Sequence, residues 1–244
     1  MIRRAIIVYC DKSPSGDLKG PYQDNIKYRE FLQSSLGGHW FDTEISSLRN
    51  PTGIEVRRAI QTLFYGADYT FLIFSGHGCI ERDSGTQYLE VADGDLSVLE
   101  LRTNAIRQTL IIDACRGYFS FPVATTKSFS ESISGFTGNM STRDLFNKAV
   151  LAAESGWSIL YSADVDQSAS DSDDGGVYLF SLLTIAKLWK DDDREYTVLP
   201  LNFAHEIAKN YIPRHYKTIQ NPVMEQERRK VYFPFAVKFI PIYS

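Results

Sequence analysis

The sequence is short of the residues that staple a chain, span a bilayer or bind through bulk charge. Its 244 residues include only three cysteines. An odd number at irregular spacing argues against a disulfide framework and for a reducing compartment, with the cytosol as the default. No apolar run approaches the roughly twenty residues of a membrane span. Neither sign of charge dominates: 26 basic against 30 acidic residues leave a net charge of −4, which gives no basis for nucleic-acid binding. Phosphate-cradling glycine loops, internal repeats and coiled-coil heptads are missing too. The start, Met1 to Cys10, has a charged beginning and a short apolar run. The polar stretch after it lacks a signal-peptide cleavage pattern, so a first strand is expected there.

What is present is a hydrophobic content of 43%, enough for a sizeable core, in a chain whose length suits one α/β domain. Two short stretches organise it: Phe74-Ser75-Gly76-His77-Gly78 and Ile111-Ile112-Asp113-Ala114-Cys115-Arg116-Gly117. Each closes a continuous apolar run, Tyr69 to Phe74 and Thr109 to Ile112, of the kind that forms strands buried on both faces of a parallel sheet. A histidine and a cysteine thus follow the carboxyl ends of two strands, the edge where open α/β sheets keep their ligands. A Cys–His pair delivered this way can serve as nucleophile and proton-handling partner, which reads as a cysteine peptidase. The metal alternative, His77 with Cys79, has two candidate ligands and no second pair.

Along the chain, Arg4 to Cys10 reads as a central strand and the Pro14–Gly20 region as loop. After Asp24, the spacing of Tyr28, Phe31, Leu32 and Leu36 predicts a helix ended by Gly37-Gly38. Thr52 and Glu55 form a capping box for a helix carrying Val56, Ala59, Ile60 and Leu63. Strand–helix–strand alternation predicts right-handed crossovers in a parallel sheet. Gln87 to Val91 with Asp93-Gly94-Asp95 reads as a short hairpin or a strand with a turn, and Leu96 to Ile106 as helical. Residues 118–141 are rich in Ser, Thr and Gly without a period, a loop of functional length. Ser141 and Thr142 cap a helix through Leu145, Phe146 and Val150; Trp157 to Tyr161 is another buried strand. Gly175-Gly176 precedes a helix from Val177 to Trp189, and a further helix covers Leu201 to Tyr211. Glu225 to Lys230 reads as a solvated turn. Val231 to Tyr243 reads as a strand that Pro234 and Pro241 confine to an edge or a bulge.

These motifs together resemble those of the caspase/metacaspase superfamily of cysteine peptidases, in particular its short prokaryotic members, over nearly the whole chain. Ser75-Gly76-His77-Gly78 matches the histidine motif. Asp113-Ala114-Cys115 is similar to the metacaspase Asp-Ser-Cys, while Arg116-Gly117 follows the caspase form. Leu18 to Asp24 is similar to the metacaspase Leu-x-Gly-Cys-x-Asn-Asp segment, departing from it at Pro21 and Gln23. Tyr161-Ser162-Ala163, Gln167-Ser168-Ala169 and Gly175-Gly176-Val177-Tyr178 are similar to the substrate-binding strand and following helix of the smaller half.

The resemblance implies a three-layer α/β/α sandwich with a mostly parallel central sheet. It implies a larger half over 1–117, a linker at 118–141 and a smaller half over 142–244, in one peptidase domain. Cys115 and His77 would be the catalytic dyad, and the N–H groups of Gly78 and Cys115 the oxyanion donors. Asp24, Asp113, Ser162 and Asp164 would bind substrate. Two carboxylates, Asp24 and Asp113, imply a preference for Arg or Lys before the scissile bond, although Asp24 can also be read as a helix cap and Asp113 as a brace for its loop. The linker is a candidate for self-cleavage, with Lys127 and Arg143 as cleavable positions. The chemistry needs no cofactor. Some metacaspases require calcium, for which Asp171, Asp173 and Asp174 are candidate ligands. The partner is a protein or peptide substrate, and the chain a monomer or homodimer. Prokaryotic members are linked to defence or programmed cell death. A catalytically silent scaffold of the same fold, or a doubly wound binding domain, is the rival reading.

Overall fold

Continuous β-branched and aromatic runs form the centre of the molecule. The computed structural model describes residues 1–117, 141–192 and 196–239. In chain order the elements are β1 (Arg3–Tyr9), α1 (Gly20–Gln33), β2 (Ile45–Arg49), α2 (Gly53–Leu63), β3 (Tyr69–Ser75), β4 (Gly78–Ile80), β5 (Gln87–Val91), β6 (Gly94–Ser97) and β7 (Arg107–Asp113). They continue with α3 (Thr142–Ala152), β8 (Gly156–Tyr161), β9 (Asp171–Ser172), β10 (Gly175–Gly176), α4 (Val177–Lys190), β11 (Val198–Pro200), α5 (Leu201–His215), β12 (Val223–Gln226) and β13 (Pro234–Val237).

Six strands make the central sheet in the order β12-β8-β7-β3-β1-β2. All neighbours are parallel except β12, which runs antiparallel to β8. The period of two along each strand divides the core into two layers. Ala5, Ile7, Phe71, Ile73, Ile111 and Leu160 face α1, α3, α4 and α5. Ile6, Val8, Leu72, Phe74, Leu110, Ile112 and Ile159 face α2 and the small antiparallel sheet β4-β5-β6. The architecture is the expected α/β sandwich. Among the described residues no helix is long and apolar enough to cross a membrane.

Local signals held at several ends. Thr52 Oγ1 accepts from the Glu55 N–H while Glu55 reaches back to the Thr52 N–H, the reciprocal capping box. Ser141 caps α3 through the Asp144 N–H. The hairpin β5–β6 turns at Gly94, whose φ of 138° needs glycine. Pro234 lies beside the register shift between Leu199 and Pro200, so β13 tolerates it at a bulge, as expected.

Three expectations are corrected. Leu96 to Ile106 is not helical: Leu96 and Ser97 close β6, Val98–Leu101 is one 3-10 turn, and the rest is loop. Leu96, Val98 and Leu101 are all buried, but their spacing serves a strand followed by a tight turn. The Gln108 side chain then ties the loop down through Leu101 O and the Thr103 N–H. Glu225 is not in a solvated turn; it belongs to the edge strand β12, held by backbone pairing to β8. An outer strand tolerates a charge such as Glu225, and with only Val223 and Met224 apolar it shows no sustained pattern. Helix α1 starts at Gly20 with Pro21 in its first turn, so Asp24 lies inside it.

One buried ion cluster joins the two halves of the sequence. Arg3, fully buried on β1, lies over Trp40 and shares Glu44 with Arg143 of α3. Arg143 grips Glu44 in bidentate fashion, both contacts at 2.7 Å. This bears on the proposed cleavage at Arg143: its side chain is committed to a buried partner on the first turn of a helix. Lys127 and the linker positions 118–140 lie outside the described residues.

Candidate active site

The two organising motifs run side by side at the carboxyl edge of β3 and β7. These strands pair in parallel register up to Ser75 opposite Asp113. Main-chain bonds then continue past their ends, from Gly76 N–H to Asp113 O at 3.1 Å and from Ile80 N–H to Gly117 O at 3.2 Å. His77 and Cys115 are bracketed between these two bonds. Gly78 sits against Ala114 and the Cys115 carbonyl so tightly that a Cβ there would come within 2.9 Å of Ala114 Cβ. A side chain at 78 would push the motifs apart.

His77 is half-buried, and its Nε2 lies 3.1 Å from Gly16 O. A carbonyl can only accept, so Nε2 carries the hydrogen and, in the neutral ring, Nδ1 keeps the lone pair. A main-chain carbonyl on the β1–α1 loop therefore does the orienting that a side chain does in many triads. Nothing in the sequence signals it, because the group is a peptide oxygen carried by a glycine with φ of 124°. The Cys115 thiol faces Ala169 O at 3.9 Å. The Arg116 N–H donates to Gln167 O and the Asp166 N–H to Arg116 O, which ties the chain after Cys115 to the loop after β8.

The Gly78 N–H points away from β5. The Glu90 N–H bonds to His77 O, and antiparallel ladders alternate bonded and non-bonded pairs, so the next pair, Gly78 with Leu89, is non-bonded. That leaves this N–H directed outward from the ladder, as an oxyanion donor requires.

Asp24 and Asp113 come together below this edge. Asp24, 2% exposed, accepts from Ser75 Oγ at 2.7 Å and from the Gly176 N–H at 3.0 and 3.2 Å. It sits inside α1 and caps nothing; Lys19 holds the cap position. Asp113, 4% exposed, ends β7, and neither of its carboxylate oxygens has a hydrogen-bond partner of good geometry. The Ser162 hydroxyl and the Leu179 N–H lie near enough to favour its charged form, but burial outweighs them and pushes its pKa up to about 7. Burial first, and then the Asp113 charge, also raise Asp24 well above the usual carboxylate range. Gly176 separates the two acids. A Cβ on it would overlap Asp113 Oδ2 and lie 3.4 Å from Asp24 Oδ2.

The other predicted residues have distinct places. Ser162 is fully buried; its hydroxyl donates to Ala114 O at 3.5 Å and its carbonyl accepts from Gln220. Asp164 is half-buried and accepts from the Val165 N–H in its own loop and from the Asn221 amide in the segment before β12. Asp171 accepts from the Gly20 N–H at the start of α1, Asp173 pairs with Lys19, and Asp174 with Lys27. Turned to three separate donors, they do not form a common calcium-ligand set, and among the described residues no three His, Cys, Asp or Glu side chains cluster to hold a metal. Cys79 lies on β4 apart from any such group. Ser75 and the Gly175-Gly176 pair were legible as motif residues, but their part in fixing Asp24 was not.

Comparison with known proteins agrees with this architecture. The family model described as caspase domain matches residues 2–233. Caspase-1 from Spodoptera frugiperda has a similar fold, with a TM-score of 0.61 at 12% identity, covering 91% of this chain and 87% of that one. No curated protein matches the sequence. The chain belongs to the caspase domain family of cysteine peptidases.

Proposed function

We propose that this protein is a cysteine endopeptidase that cleaves after Arg or Lys, with Cys115 as nucleophile and His77 as proton carrier. The observation that carries the reading is the pair of main-chain bonds, Gly76 to Asp113 and Ile80 to Gly117, that bracket His77 and Cys115 at one sheet edge. The family of the chain adds to it. The buried Asp24–Asp113 pair, with both Asp113 oxygens unpartnered, supports the basic specificity. A guanidinium or ammonium supplies the charge and donors that these oxygens lack.

In this mechanism Cys115 Sγ attacks the scissile carbonyl carbon and a C–S bond forms. The Gly78 and Cys115 N–H groups stabilise the oxyanion; in other hydrolases such a donor contributes about 3–4 kcal/mol. His77 Nδ1, having taken the thiol proton as Cys115 Sγ attacked, delivers it to the leaving amine as the C–N bond breaks. Water, losing a proton to His77, attacks the thioester, and the acid product leaves with Cys115 restored. The dyad and its donors need no cofactor. Both halves of the chain contribute: α1, β3 and β7 from one, Gly176 and the loop after β8 from the other. A cytosolic monomer or homodimer, with a role in defence or programmed cell death, belongs to the same reading by family-level analogy alone.

The test is hydrolysis of peptides that differ only at the residue before the scissile bond, by wild type and Cys115→Ala. Turnover confined to Arg and Lys peptides and absent in Cys115→Ala is expected. Preference for Asp or Leu would remove the specificity assignment, and full turnover by folded Cys115→Ala would falsify the catalytic one.

A further inference from the structure

We propose that Glu90 is a positioning residue for His77, holding both its backbone and, through the loop before α1, its ring. This rests on the reading of His77 as the proton carrier for Cys115. The Glu90 N–H donates to His77 O at 3.0 Å, so β5 fixes the main chain from which the imidazole projects. The Glu90 carboxylate reaches the opposite side and accepts from the Ser15 N–H at 2.9 Å. The next residue is Gly16, whose carbonyl meets His77 Nε2.

The loop's other bonds set its internal shape, and the one that also reaches that carbonyl, from Ser13 Oγ, comes from within the tip and so does not fix the tip's distance from β5. The Gly16 N–H and the Ser13 hydroxyl form a closed turn, with Gly16 N–H to Ser13 O at 3.0 Å and Ser13 Oγ to Gly16 O at 3.2 Å. Its base is tied by Leu18 N–H to Asp11 O and by Lys12 N–H to Asn50 Oδ1. The tip is exposed and glycine-containing, and a Cβ at Gly16 would meet nothing within 4 Å. Packing therefore does not hold it. The Glu90 bond is what sets the tip's distance from β5, and hence from the histidine on the same strand ladder. If that bond goes, the carbonyl drifts and the ring loses its preference for the Nε2–H form.

The experiment uses the intact chain labelled with ¹⁵N-histidine; with four histidines, His77→Ala assigns the His77 signals. Wild type is expected to show His77 as the Nε2–H tautomer when neutral. Glu90→Ala should convert it to a tautomer mixture, with kcat on a basic peptide down about tenfold or more and KM little changed. Glu90→Gln, whose amide oxygen still accepts from Ser15, should restore both. Glu90→Asp keeps the charge, shortens the arm by one methylene, and should behave like Glu90→Ala, which covers the case in which Glu90→Ala does not fold. Glu81→Ala, on a glutamate whose carboxylate accepts from the nearby Ser84 hydroxyl, is the control.

An unchanged His77 spectrum in Glu90→Ala or Glu90→Asp overturns the proposal, whatever the turnover. So does a Glu90→Gln as damaged as Glu90→Ala, since charge rather than the bond would then be responsible. A shifted tautomer in a chain whose wild type cleaves nothing supports the positioning role and overturns the peptidase reading instead.

Discussion

Gly176 lies against Asp113 so closely that the smallest side chain on the glycine would overlap the Asp113 carboxylate. The same residue donates its N–H to Asp24. One glycine thus separates two acids, binds one, and leaves the face of the other open.

Gly176→Ala places its methyl against the two buried carboxylates, beside the start of α4, and is expected to displace the Asp113 side chain. Its cleavage of Arg and Lys peptides should fall by about 100-fold or more, consistent with the roughly 2–5 kcal/mol lost when a buried charged contact is broken. Circular dichroism would check the fold and kcat/KM the pocket. Near-normal turnover would mean that the acids do not receive the substrate's basic side chain.

Activity on basic peptides should depend on pH through the acidic pair. The Asp113 pKa, raised from 3.8 to about 7 by burial, means that the empty pocket keeps a proton below neutrality. A cation must displace that proton, so KM should rise as pH falls below about 7. An Asp113→Asn enzyme should lose this limb along with most of its affinity.

The same shift bears on stability. A carboxyl whose folded pKa is raised binds more protons folded than unfolded, so its contribution is full below pH 3.8 and is lost as pH rises through about 7. Asp113→Asn removes the effect. Relative to wild type, its Tm should be higher at pH 8 than at pH 4, with a difference in stability of a few kcal/mol as an order of magnitude. Equal differences in Tm at the two pH values would show that Asp113 keeps its ordinary pKa.

Glu44 is held between Arg3 and Arg143, with burial on all sides. Glu44→Gln leaves the shape but removes the carboxylate charge from two guanidiniums; Arg3, with no exposed surface, keeps only the neutral acceptors Asn147 Oδ1, Gly38 O and His39 O. Breaking a buried pair in this way costs about 3–5 kcal/mol. Urea unfolding would measure it; a loss below about 0.5 kcal/mol would show that the cluster contributes packing and not charge.

The sequence by itself determined the framework. Runs such as Tyr69–Phe74 and Thr109–Ile112 bury both faces, so their continuous apolar character specifies central parallel strands. The capping box at Thr52 and the glycine turn at Gly94 are likewise local, decided by bonds within a few residues. His77 and Cys115 were legible because each directly follows such a strand. What the tertiary structure alone decided are contacts between distant peptide groups and buried charges. Strand β12, Val223-Met224-Glu225-Gln226, is too short and mixed to announce itself, and it pairs along the edge of β8. The Gly16 carbonyl has no side chain to announce it, yet it fixes the His77 ring. Asp24 shows nothing in its own helix to distinguish it from a solvated acid. Burial, and then the Asp113 charge, raise its pKa, while the Ser75 hydroxyl and the Gly176 N–H that bond its carboxylate act the other way; the fold brings all three residues to it from other elements. Desolvation depends on everything that surrounds a group, and that quantity is set by packing, not by sequence neighbours.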